Sequence, residues 1–317
     1  MKNLFKAIAA IFCVVMIFVS CENSDDPMVD MPKSIYQLAS SDSDLSSLKA
    51  AIDKAGLSAT LDGSGSFTLF APSNAAFTAF LTANGFASLN DVPIAALKEI
   101  LLNHVLATKV MAAQVTTGYV STLAKGPASA SRNLSMYIST ASGVKINGVS
   151  TVTETDIMAT NGVIHKVDKV IGLPTIVTHA TANPNFSSLA AALTRPDMPN
   201  FVSILGGTVN SPFTVMAPTN TAFTSLLSEI SLPDLASIPQ LTLENVLKYH
   251  VVAGANVAST DLVNNMVVTT FQGGTFKITT NGGAKITDAQ GRVANINLTD
   301  VQCSNGIIHA VDKVLLP

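Results

Sequence analysis

Apolar and polar positions follow the same plan twice along this chain. Asn161-Gly162 is a turn pair, and the run from Val163 to Val170 after it is rich in β-branched residues, so it predicts a strand with Val163, His165 and Val167 on one face. The pattern returns as Asn305-Gly306 followed by Ile307 to Val314, with Ile307, His309 and Val311 sharing a face. A second block, Phe67-Thr68-Leu69-Phe70-Ala71-Pro72-Ser73-Asn74-Ala75-Ala76-Phe77, recurs as Phe213-Thr214-Val215-Met216-Ala217-Pro218-Thr219-Asn220-Thr221-Ala222-Phe223. In each copy a strand runs into the proline that ends it, and Ser73/Asn74 or Thr219/Asn220 can cap the helix that follows. The two blocks recur at offsets of 146 and 144 residues. Internal repetition at that period implies two homologous modules in tandem.

Helical spacing fills the space between the blocks. Leu45, Leu48 and Ile52 near the start of the first module are answered by Phe186, Leu189 and Leu193 in the second. Leu97, Ile100, Leu101 and His104 stand at i, i+3, i+4 and i+7, as do Leu243, Val246, Leu247 and His250, which places each histidine on a core-facing stripe. The last third of each module reads as strands, with Phe276 to Ile286 a hairpin around a glycine-rich turn and Met136 to Ile146 its counterpart. Only Gly172-Leu173-Pro174-Thr175 separates the modules, too little for free swivelling.

The paired blocks F-T-[LV]-[FM]-A-P-[ST]-N-x-A-F and N-G-[VI]-I-H-x-V-D-K-V resemble the two signatures of the fasciclin (FAS1) family, over nearly all of residues 34 to 317. The resemblance implies modules used in adhesion or extracellular interaction. The expected fold is α+β: two tandem FAS1-like modules over 34–174 and 175–317, each a β-sandwich or wedge with packed helices. The family's tyrosine–histidine pair stands here as Tyr249-His250, and in the first module as Asn103-His104. The stretch from Glu154 to His165 is similar to the Asp-Ile segment through which animal members engage integrins. That makes Asp156 and Ile157, with Asp300 and Val301 in the second module, the candidate contact residues, joined by Tyr249 and His250. The alternative is that Asp-Ile and Asp-Val are the fold's own lead into its last strand.

Composition adds an address. Lys2 and Lys6 precede an apolar run from Ala7 to Val19 that ends in Ser20-Cys21, the pattern of a secretion signal over 1–20, too short for a comfortable transmembrane helix. Its end resembles a bacterial lipoprotein cleavage site, with Cys21 the residue acylated. Residues 21–33 are acidic and carry two prolines, the composition of a tether, and Ser24-Asp25-Asp26 resembles the export signal of surface lipoproteins. The expected location is the outer membrane, with the modules exposed at the cell surface. Removal of Lys2 and Lys6 with the signal takes the formal charge from −3 to −5, and no basic run exists to favour nucleic acid. Cys13 leaves with the signal and Cys21 takes the lipid, so Cys303 has no disulfide partner.

The repeated polar residues are the candidates for chemistry. A metal at His104, His165, His250 or His309 needs at least three protein ligands, and strand alternation turns the repeated Asp168 and Asp312 away from His165 and His309. No recurring acid supplies a third ligand or a catalytic triad, so the four histidines read as core groups bonded to backbone, with no catalytic residue, metal or cofactor expected. The function this predicts is a surface-anchored adhesion protein that binds an extracellular protein or polysaccharide and meets the membrane only through its lipid. The competing readings are a glycan-binding accessory lipoprotein and a structural spacer making homotypic contacts. A chain with no Trp and four tyrosines has few rings for sugars to stack on.

Overall fold

A strand buried on both faces organises each half of the molecule. The computed structural model describes residues 32–317, which form one compact unit from Lys33 onwards. The signal segment, Cys21 and most of the acidic tether lie outside the described residues.

The first module runs α1 (Ile35–Ser41), α2 (Ser46–Lys54), α3 (Ser58–Asp62), β1 (Phe67–Pro72), α4 (Asn74–Ala83), α5 (Ile94–Leu102), β2 (Val105–Leu106), β3 (Gly118–Gly126), β4 (Ser129–Ser139), β5 (Lys145–Ile146), β6 (Ser150–Ala159) and β7 (Gly162–Val167). The second repeats the plan as α6 (Ile176–Ala182), α7 (Ser187–Leu193), α8 (Phe201–Gly206), β8 (Phe213–Pro218), α9 (Asn220–Glu229), α10 (Gln240–Tyr249), β9 (Val251–Ala253), β10 (Met266–Thr269), β11 (Thr275–Thr279), β12 (Lys285–Thr287), β13 (Val293–Cys303) and β14 (Gly306–Val311). Each half holds one seven-stranded mixed sheet, ordered β2-β1-β7-β6-β5-β4-β3 and β10-β11-β12-β13-β14-β8-β9. The two signature blocks are β1 and β7, and β8 and β14, which pair in parallel at the centre.

Alternation along these strands builds two cores per module. Leu69 and Ile164 face a cluster closed by helix residues such as Leu48, Ile52, Phe77 and Leu97. Phe70 and Val167 point the other way, into a second cluster with Met136, Ile138 and Ile146 from the curled part of the sheet. The curl comes from irregular pairing in β6 and β13, where register slips at Glu154/Ile157 and Leu298/Val301. Bulges of this kind bend a strand and increase its twist, so one sheet wraps into a wedge.

Local chemistry explains the signatures. Gly162 and Gly306 are required because β1 and β8 pass so close that a Cβ would sit 2.1 Å from the Phe67 carbonyl oxygen or 2.2 Å from that of Phe213. Ser73 and Thr219 cap α4 and α9 by accepting the amides of Ala76 and Ala222. The asparagine beside each does a different job: Asn74 accepts the Ser47 amide and Asn220 that of Ser188, so each ties the start of α2 or α7 to its neighbour. Both histidines read as part of the α5 and α10 stripes lie beyond the last helical turn, because the helices stop at Leu102 and Tyr249.

Candidate functional site

The four repeated histidines are buried and fully hydrogen-bonded. His104 Nε2 accepts the Ile171 amide at 2.9 Å, so the proton sits on Nδ1, which donates to the Ile100 carbonyl at 2.7 Å. His250 does the same between Leu315 and Val246. Each ring thus splices the end of a helix to the segment leaving the central strand. His165 and His309 carry the opposite tautomer: Nδ1 accepts the amides of Asp156 and Asp300, and Nε2–H donates to the carbonyls of Val110 and Val257, both at 2.9 Å. Burial pushes His104 and His250 down to about 4 and lowers His309, outweighing the backbone carbonyls each ring meets and, for His250 and His309, the nearby carboxylates of Asp288 and Asp300.

An acid does recur near a histidine, contrary to the sequence expectation: Asp156 and Asp300 each stand nine residues before His165 and His309. The carboxylates do not meet the rings. Each aspartate adopts the left-handed conformation at φ 61°, which turns its amide to the ring and its Oδ1 to the amide of Ala112 or Ser259. These residues lock the bulge to the loop before β3 or β10. Among the described residues no three His, Cys, Asp or Glu side chains gather closely enough to hold a metal ion. The other repeated polar residues are similarly engaged. Asn161 accepts the Ile35 amide and donates to the carbonyls of Leu61 and Gly63, and Asn305 repeats this with Ile176, Leu205 and Gly207. Asp168 and Asp312 accept the amides of Thr151 and Asn295.

Of the candidate contact residues, Tyr249, His250 and Val301 are buried and present no surface in this conformation. Tyr249 donates its hydroxyl to the Thr275 carbonyl at 2.6 Å. Asp156, Ile157 and Asp300 are half-buried. Ile157 lines an open groove of about 360 Å³ on the first module with Leu38, Asp42, Leu45 and Ile164. At its rim Lys166 bonds Asp42 at 2.7 Å and Glu154 at 3.1 Å, and that ammonium holds the Asp42 carboxyl below the usual carboxylate range. The next residue, Met158, is 53% exposed.

The fasciclin domain matches residues 43–174 and 184–317. The chain belongs to the fasciclin domain family. It is similar to human periostin, 28% identical over 272 residues, which covers 84% of this chain and 30% of periostin. A Synechocystis protein, sll1735, is 33% identical over 144 residues, covering 45% of this chain and 98% of its own length. A solved FAS1 domain pair from the insect cell adhesion molecule fasciclin I has 20% identity and a TM-score of 0.47, with 84% of this chain and 92% of that chain covered. The chain therefore spans less than a third of periostin and nearly all of the cyanobacterial relative.

The two fasciclin modules differ in what covers the same face. Ile157 and Met158 correspond to Val301 and Gln302, and Leu38 corresponds to His179. In the second fasciclin module this face lies beneath β3 and β4 of the first, where the Gln302 amide donates to Ser135 Oγ at 3.0 Å and Gln302 is 2% exposed. No signal in the repeat itself announces this, because the residues of the two faces are read alike along the chain and only the docking distinguishes them.

Proposed function

We propose that this fasciclin chain is a surface-anchored, non-enzymatic adhesion protein, held by a lipid on Cys21, and that it binds an extracellular protein through the open face of its first module. Fasciclin domains are linked to cell adhesion and extracellular interaction in relatives of this chain. The observation that carries the choice of face is the asymmetry between modules: Ile157 lines an open groove and Met158 beside it is exposed, whereas Val301 and Gln302 are buried. The groove sets Leu38, Leu45, Ile157 and Ile164 beside Ser41, Asp42 and Ser43, with Glu154 and Lys166 ion-paired next to it, a mixture of apolar and polar groups of the kind found in protein contacts. The repeated polar residues that could have served catalysis are engaged in holding the fold, which supports a binding role.

Glycan capture draws less support. Tyr137 and Tyr249 are buried and Tyr119 is packed against His179, so among the four tyrosines Tyr36 keeps the freest ring. The test is an array of extracellular matrix proteins and glycans probed with the soluble 34–317 fragment. Ile157→Asp is expected to weaken binding to a protein ligand about tenfold, because it places a charge in the apolar wall of the groove. Unchanged affinity in that variant removes the groove from the site, binding to glycans alone overturns the protein-ligand reading, and turnover of a substrate overturns the adhesion class.

A further inference from the structure

His179 is the fifth histidine, outside the repeated pairs, and it stands at the junction of the two modules. On α6 the order Ile176, His179, Ala180 matches Ile35, Leu38, Ala39 on α1. Leu38 borders the open groove of the first module, but His179 is fully buried, with the Tyr119 ring from β3 edge-on at 5.3 Å. Among the described residues neither of its ring nitrogens has a hydrogen-bond partner; the nearby Ser135 backbone makes no bond of proper geometry. A neutral imidazole always presents one donor and one acceptor, so both are buried at a cost. The Nδ2 of Asn147 is likewise buried without a partner, and its neighbour Gly148 abuts Ala182 of α6.

The junction is closed by Tyr119 packed on the second-module core, by the buried Gln302 amide on Ser135 Oγ, and by a set of polar contacts around them. The Ala128 amide donates to the Ser304 carbonyl at 3.1 Å, Asn183 donates to the Tyr119 hydroxyl at 3.3 Å, and Arg132 reaches Thr260 at 2.8 Å and Asp261 at 3.8 Å. Water replaces such bonds readily on opening. The titratable groups facing His179 are Tyr119 from β3, Tyr137 behind it on β4 and the Cys303 thiol of β13; burial pushes all three up, so they stay neutral from pH 4 to 8. Its own helix, Ile176–Ala182, carries no other charged residue, and Asn183 and Asn185 follow it. Among the described residues no carboxylate is in place to hold an imidazolium.

We propose that His179 is an acid-sensitive latch between the modules: neutral, it stays beneath the β3–β4 ribbon; protonated, it forces the ribbon off and uncovers on the second module the face that is open on the first. Burial holds His179 at about 4 against an ordinary value of 6.5. Between those limits the open form binds a proton that the closed form does not. The ratio of open to closed molecules therefore climbs as pH falls from 6.5 towards 4, by roughly 300-fold in all, and levels off below.

The experiment is amide hydrogen exchange with histidine NMR on the full chain, from pH 7.5 to 4, for the wild type, His179→Gln and His179→Leu. Leucine is the residue the same helix position carries in the first module, and glutamine keeps a polar group that does not titrate. Corrected for intrinsic exchange, protection of the Ala128 and Gln302 amides, which bond across the junction, should fall in the wild type by more than tenfold across this range, and both variants should lose that fall while β7 and β14 keep the acid sensitivity that His104 and His250 give them. A wild type whose Ala128 and Gln302 protection does not fall overturns the latch, as does an equal fall in either folded variant or a His179 titration at 6 or above.

Discussion

At the scale of single residues, the repeated polar positions act as joints between elements. Asn161 illustrates the economy: from the turn into β7, one amide side chain closes the start of α1 through the Ile35 amide and the end of α3 through the Leu61 and Gly63 carbonyls. The histidines do comparable work, and their neutrality makes the fold sensitive to acid. His104 and His250 sit at about 4 in the folded chain and near 6.5 when it unfolds. The unfolded chain thus takes up protons first, and stability present above pH 6.5 is lost as pH falls towards 4, by about 3 kcal/mol for each histidine. Urea denaturation at pH 7.5, 6, 5 and 4 should show this decline. His250→Gln, by removing one titrating ring, should reduce its slope, although the variant starts from lower stability.

At the scale of elements, the bulges in β6 and β13 convert a flat ladder into a wedge. Asp156 holds the first of them by its left-handed backbone and by the Ala112 amide it accepts. Asparagine tolerates the same conformation and keeps an acceptor, so Asp156→Asn should change stability by no more than about 0.5 kcal/mol. Asp156→Val combines a β-branched residue at positive φ with loss of that bond, and should cost about 2–3 kcal/mol in chemical denaturation. Equal stabilities of the two variants would mean that the bulge does not depend on this residue. This also explains why the Asp-Ile pair reads two ways in the sequence. The aspartate fixes the strand, and its neighbours Ile157 and Met158 meet the outside.

At the scale of the whole molecule, the described residues contain no helix long and apolar enough to cross a membrane, and the proposed anchor is the lipid on Cys21. Replacing Cys21 by alanine should move the protein from the membrane fraction to the soluble one and abolish incorporation of labelled fatty acid. Label entering the mutant as in the wild type would refute lipidation at that position. The modules themselves behave as one unit from Lys33 to Pro317, consistent with the short linker and with the ribbon of one lying over the last strands of the other.

The amino-acid sequence by itself determined the tandem repeat, the α+β plan, the central strands and the caps, because those depend on periodicity and on short-range backbone chemistry written in consecutive residues. It pointed to histidines that serve the core, since a lone ring on an apolar stripe has no other source of compensation than backbone. Tertiary structure alone decided the rest. The pairing of Asp156 with His165 runs through a backbone amide that no side-chain pattern reports, and Tyr249, placed among the contact residues by resemblance, is sealed by packing against Phe276. Most of all, Met158 and Gln302 hold equivalent places along the chain and opposite fates in space. Burial is settled by what another part of the fold lays on top, and the β3–β4 ribbon lies on the second module only.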